Sequence, residues 1–316
     1  MSTHRNRGFT LMELLIVVAI LSILAMLALA AQARAVEQAK ADRTRAIISR
    51  LDQLIMEKWE GYRVRALPIA INPNSLRNPT TGRIDSLAAA RIRLNAMREL
   101  QRAELPDRRT DIVNTTGGVQ TTAVLPSAPS VQASYYRAVF RATGGNPSTW
   151  NQAFQGAECL YLIVATMRDG DKSALDFFSR SEIGDVDDDG MKEILDGWGR
   201  PIEFLRWAPG YTRENGAVTP QTSDVTKAPD PFDPLKRDPT AFALKPLIFS
   251  PGPDKSYDVT VDFISPSDVV YVSTSPPNYP YVVGPSSILI GTVGDADGDG
   301  NQGWMDNITN HLQETP

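Results

Sequence analysis

From Phe9 to Ala31 the chain runs for 23 residues with a single charge, Glu13, and only two other polar side chains, Thr10 and Ser22. As a helix rising about 1.5 Å per residue, this run covers roughly 34 Å, enough to cross a hydrocarbon core of about 30 Å. A lone span must satisfy its backbone N–H and C=O groups internally, so a helix is the form it takes. His4, Arg5 and Arg7 precede it as a short basic leader. Two processing routes suit such a segment. Ala28-Leu29-Ala30 and Ala31-Gln32-Ala33 offer the small-residue sites of an ordinary secretory signal. Glu13 speaks against that route, because a carboxylate at the start of a spanning helix costs about 3 kcal/mol in lipid and makes sense only with a partner.

The helical pattern continues past the apolar run. No proline occurs before Pro68, and Val36, Ile47, Leu51, Leu54, Ile55, Trp59 and Tyr62 recur at helical spacings among charged residues. This predicts one helix from Phe9 to Tyr62, half in lipid and half against a globular region. Residues 66–82 read as a loop, Ile84–Leu105 as a second amphipathic helix, and Asp111–Ser130 as an exposed Thr/Pro/Ser stretch. Val131–Ala142 and Ser148–Met167 predict two more helices, the latter apolar enough for the core. Short strands are expected at Pro201–Trp207, Leu244–Ser250, Val259–Ile264, Val269–Ser273 and Ser287–Val293, between Pro/Gly turns.

Charge divides the chain. Residues 1–145 hold 20 Lys/Arg against 11 Asp/Glu, a balance of +9, whereas residues 146–316 hold 12 against 26, a balance of -14. So acidic a region repels itself unless cations neutralise it. The lone Cys159 excludes an internal disulfide and reads as an inert core residue.

The acidic residues fall into a pattern. Asp185, Asp187, Asp189, Glu193 and Asp196 occupy positions 1, 3, 5, 9 and 12 of a loop with Gly190 at position 6. That is the spacing that lets alternate oxygen donors converge on calcium, with the Met191 carbonyl completing the shell. Position 12 is Asp rather than the Glu of an EF-hand, so the loop is similar to dockerin-type loops. Asp295, Asp297, Asp299 and Asp306 repeat the register with Gly300 at position 6, Asn301 at position 7 and Gly303 at position 9. Solvated acidic turns are the plain alternative, since Asp and Gly suit turns in any case.

Two further strings carry a family resemblance. Arg7-Gly8-Phe9-Thr10-Leu11-Met12-Glu13 resembles the signal of type IV pilins and type II secretion pseudopilins. The resemblance implies cleavage by prepilin peptidase between Gly8 and Phe9, N-methylation of Phe9, and pairing of Glu13 with a neighbouring subunit's N-terminal ammonium during assembly. Asp196-Gly197-Trp198-Gly199-Arg200-Pro201 resembles the Asp-x-Trp-Gly-x-Pro signature of major pseudopilins, and Ser250-Pro251-Gly252-Pro253-Asp254 their later Ser-x-Gly-x-Asp segment. Asp306-Asn307-Ile308 resembles their closing strand, and the family's C-terminal calcium site would draw on Asp254, Asp258 and Asp306. Asp196 is thereby claimed twice, by the first acidic loop and by the Trp-Gly signature. The chain departs from many pilins in having no proline within the span, and from major pseudopilins in its length.

The implied fold is α+β and pilin-like: a long N-terminal transmembrane helix, a helical middle insertion, and a small antiparallel sheet with calcium loops. Its expected parts are a leader (1–8), the membrane half (9–31) and extracytoplasmic half (32–62) of the first helix, the insertion (63–184), and a β-rich calcium-binding region (185–316). The implied role is a non-enzymatic filament subunit, single-pass in the inner membrane with its C-terminal region periplasmic. Its partners would be prepilin peptidase, other pilin or pseudopilin subunits, the inner-membrane assembly platform and membrane lipid. No catalytic motif appears around His4 or His311, and the Arg83–Arg109 cluster reads as a helix face, with no nucleic-acid partner expected. The alternative is a membrane-anchored or filament-borne protein that binds a ligand or surface through calcium.

Overall fold

A computed structural model describes residues 11–69, 76–77, 80–83, 85–261, 289–294 and 303–312. Helix α1 runs unbroken from Leu11 to Gly61, 51 residues or roughly 77 Å. Residues 11–39 are exposed along the whole circumference, whereas Thr44, Ile47, Ile48, Leu51, Ile55 and Trp59 are buried. The two halves follow from the sequence. Apolar residues all round give a helix with nothing of its own protein to cover it, and an apolar stripe gives a helix that packs on one side. The first half is long and apolar enough to cross a membrane.

Three shorter helices follow: α2 (Ser86–Glu104), α3 (Ser130–Ala142) and α4 (Gln155–Thr166). Asp85 caps α2, accepting from the Leu87 and Ala88 amides. The strands are short. Strands β1 (Arg168–Asp169) and β2 (Lys172–Ser173) form one antiparallel pair. A second hairpin joins β3 (Ile183–Gly184) to β4 (Glu193–Ile194), pairing Ile183 with Ile194 and Gly184 with Glu193. The third sheet orders β5 (Glu203–Leu205), β6 (Leu247–Ser250) and β7 (Ile308–Thr309) antiparallel, with Phe204 opposite Ile248 and Ser250 opposite Ile308. Helix α1 packs on β6 and β7, and α4 on β4 and β5. Ile47, Leu51 and Ile55 of α1, Leu160 and Ile163 of α4, and Phe204, Ile248 and Phe249 of the sheet belong to one core cluster.

Several expectations are corrected. Ser148–Met167 is not one helix. Residues 147–149 make a single turn capped by Asn146, Trp150 is extended, and α4 begins only at Gln155. The break has a cause: Asn151 turns its backbone and side-chain N–H groups onto Asp189 and Asp187 instead of continuing the helix. Asp111–Ser130 is not simply exposed, because Ile112, Val113, Gln120 and Leu125 are buried. Buried Glu99 on α2 draws this stretch inward by accepting from the Ala123, Val124 and Leu125 amides. The strands expected at Val259–Ile264 and Ser287–Val293 reduce, among the described residues, to one bridge between Val259 and Val293. Val269–Ser273 lies outside the described residues.

Three of the α2 arginines act within the molecule. Arg98 pairs with Asp230 at 3.2 Å and Asp238 at 3.5 Å, Arg91 donates to the Arg237 carbonyl, and Arg102 to that of Thr121. Cys159 is fully buried in the core, which pushes its thiol pKa well up.

Candidate functional site

The first acidic stretch is the connection of the β3–β4 hairpin. Opposition of Gly184 and Glu193 closes its base and brings Asp185 beside Glu193. Asp188 at φ 56° and Gly190 at φ 94° turn the chain sharply enough for alternate side chains to point inward. Carboxylate oxygens of Asp185, Asp187 and Glu193 lie within 4.8 Å of one another, as do those of Glu158, Asp187 and Asp189. Asp187 belongs to both groups, so the two adjoin through it and bring the hairpin carboxylates beside Glu158 of α4.

Their hydrogen bonds are one-sided. Asp185 accepts from the Gly190 amide at 3.0 Å, and Glu193 from the Val186 amide at 3.1 Å. Asp187 accepts from the Asn151 side chain, and Glu158 from the Trp150 indole N–H. In each of these four carboxylates the other oxygen is buried with no hydrogen-bond partner: Asp185 Oδ1, Asp187 Oδ1, Glu193 Oε1 and Glu158 Oε1. Four such oxygens in one place are costly unless a cation is present. Burial first, and the neighbouring carboxylates second, push Glu158 up to about 9 and Glu193 up to about 8. The donor set is all oxygen, which suits calcium and other hard cations. Met191 sits buried beside this loop, its amide donating to Asp189.

Asp196 stands apart. Its Oδ1 accepts from the Trp198 and Arg200 amides and its Oδ2 from the Ser250 hydroxyl at 2.6 Å. It organises the Gly-Trp-Gly turn, which docks on α1. The Gly197 amide donates to Thr44 Oγ1, and the Trp198 indole to Glu37. A Cβ at position 197 would collide with the Lys40 carbonyl, so this approach requires glycine.

A second acidic group forms at the end of the described chain. A Cβ on Gly303 would run into the Asp258 carboxylate and stand 3.2 Å from Asp254 Oδ2. Burial first, then Asp254, then Asp258, push the Asp306 carboxyl up to about 6, and its Oδ1 is buried with no hydrogen-bond partner. Asp254, Asp258 and Asp306 therefore come together, whereas Asp295, Asp297, Asp299 and Asn301 lie outside the described residues, as do Gly8 and Phe9. Glu13 lies on the exposed, apolar half of α1. His311 is buried, with its two ring nitrogens against Thr219 Oγ1 and the Pro246 carbonyl. Sequence reasoning missed Glu158 and Asn151. The available signal was an acidic residue inside the apolar run Ala157–Ala165.

A long helix apolar all round at one end and packed on a small antiparallel sheet at the other defines an α+β protein of pilin-like architecture. Residues 3–29 match the family model of the prokaryotic N-terminal methylation motif, the signature of type IV pilins and pseudopilins. The motif implies processing by prepilin peptidase and assembly with other pilin subunits. No curated protein and no solved structure matches the chain.

Proposed function

We propose that the chain is a structural subunit of a type II secretion pseudopilus or a related type IV pilus-like filament, stabilised by calcium. The observation that carries this reading is the methylation motif over residues 3–29, in which the apolar run from Phe9 onward holds Glu13 as its only charge. In this account prepilin peptidase cuts between Gly8 and Phe9. The mature chain then waits in the inner membrane with its C-terminal region in the periplasm. An assembly platform lifts it into a fibre, with α1 packed among the same helices of its neighbours. Calcium at the acidic groups would do the stapling for which the single cysteine provides no disulfide.

Expressed with its own machinery, the mature chain should be recovered in sheared or membrane-detached filaments together with other subunits. Recovery only as a membrane-bound monomer that captures a ligand unaided would favour a calcium-dependent adhesion or substrate-binding protein instead.

A further inference from the structure

The loop spacing assigns the last ligand of the first acidic loop to Asp196, whose carboxylate the fold engages elsewhere. In a helix-flanked calcium loop the chain curls after position 9, and position 12 swings back over the ion. Here position 9 is Glu193, the first residue of β4, and the chain leaves as an extended strand. At about 3.3 Å per residue, the three steps to position 196 carry it roughly 10 Å away. The Asp196 carboxylate is then taken up by two turn amides and Ser250. The vacated side of the loop faces α4. There Glu158, fully buried in the first turn of that helix, has one oxygen fixed by the Trp150 indole and the other buried with no hydrogen-bond partner.

We propose that Glu158 is a ligand of the ion held by the 185–193 loop, so that one calcium ion ties helix α4 to the β3–β4 hairpin. This rests on the calcium reading above and adds to it a ligand from outside the loop. Two independent observations favour it. Glu158 and Glu193 are both fully buried, and each has an oxygen without a hydrogen-bond partner. The second is that Asn151 breaks the helix before α4 and holds both Asp187 and Asp189, fixing the loop at the distance where Glu158 reaches them. Five carboxylates drawn from two elements make a crowded, all-oxygen shell. That suits calcium, which takes six to eight oxygens at variable geometry, better than magnesium, which keeps several waters in a strict octahedron.

The full chain in detergent micelles, stripped of metal, would be titrated with terbium and its luminescence excited through tryptophan, then displaced with calcium. Trp150 touches Glu158, so a terbium ion on Glu158 should light up through Trp150, and Trp150→Phe should remove that component. Glu158→Gln, which keeps the acceptor for Trp150, should weaken calcium displacement by tenfold or more. Asp196→Asn should leave it within twofold. The proposal is overturned if Glu158→Gln binds within twofold of the unmodified chain while Asp187→Ala abolishes binding, for then the loop alone holds the ion and the calcium reading survives. It is equally overturned if Trp150→Phe leaves the luminescence unchanged, a result that holds even should Glu158→Gln fail to fold. If the unmodified chain takes up neither terbium nor calcium at millimolar concentration, the calcium reading itself falls and this proposal with it.

Discussion

Glu13→Val is expected to leave membrane insertion intact and to remove the chain from filaments. The two outcomes separate because they depend on different surroundings of one side chain. During insertion Glu13 is a charge entering hydrocarbon, and its replacement by valine gains roughly 3 kcal/mol on translocon scales. In a fibre, the same carboxylate lies about one helical turn from the N-terminus that cleavage would create at Phe9. There the ammonium of a neighbouring subunit would give it a counter-charge in a medium of low dielectric. Removing the carboxylate leaves that ammonium in an apolar environment, and a buried charge stripped of its partner typically costs 3–5 kcal/mol. Multiplied along a polymer, such a loss should reduce incorporation at least tenfold while the amount in the membrane fraction is unchanged. Quantifying the chain in membrane and sheared filament fractions checks this, and normal incorporation would show that Glu13 has no pairing role.

Removal of calcium with EDTA should lower the melting temperature of the full chain by about 5–10 °C. A ligand that binds only the folded state adds RT ln(1 + [L]/Kd), about 2.7 kcal/mol at a hundredfold excess, and each kcal/mol shifts a domain of this size by about 2–4 °C. The effect should grow with pH. The folded-state values of Glu193 (about 8) and Glu158 (about 9) lie above the ordinary carboxyl value of 4.5. Without metal, the stability these neutral carboxyls permit is therefore fully present below pH 4.5 and is lost as pH rises through 8 to 9. Calcium needs both groups ionised, so its stabilisation increases over the same window as protons cease to compete. The difference in melting temperature with and without calcium should accordingly widen from pH 6 to pH 9. Asp187→Ala with Asp189→Ala should remove the share of the first loop, and Asp297→Ala with Asp299→Ala that of the second. Scanning calorimetry that finds no calcium dependence at any pH in this range would make the acidic stretches plain turns.

What could be read from the sequence follows from how local each signal is. Helix α1 was legible almost to its ends, because Leu11–Ala31 is apolar at every period and Ile47, Leu51 and Ile55 repeat on one face. The convergence of Asp185, Asp187 and Glu193 was legible because their spacing alone, with Gly190 between them, brings them together. Glu158 was hidden in a run that reads as core, and only tertiary packing carries α4 to the hairpin. The role of Asp196 was ambiguous for the same reason. Two motifs claimed it, and the choice depended on whether the chain leaves Glu193 as strand or helix. Strand β6 came out shorter than its apolar stretch, since Leu247–Ser250 is buried on both faces and shows no alternation to mark its ends.

The mass and N-terminal sequence of the mature protein distinguish prepilin processing from cleavage as an ordinary secretory signal. Cleavage by prepilin peptidase should remove residues 1–8 and leave an N-methylated Phe9, and substituting Gly8 should block that cut and leave the full precursor in the membrane. A chain that instead starts at Gln32 or Arg34 would have lost Glu13 and its span to signal peptidase, and could not be a pilin-like filament subunit.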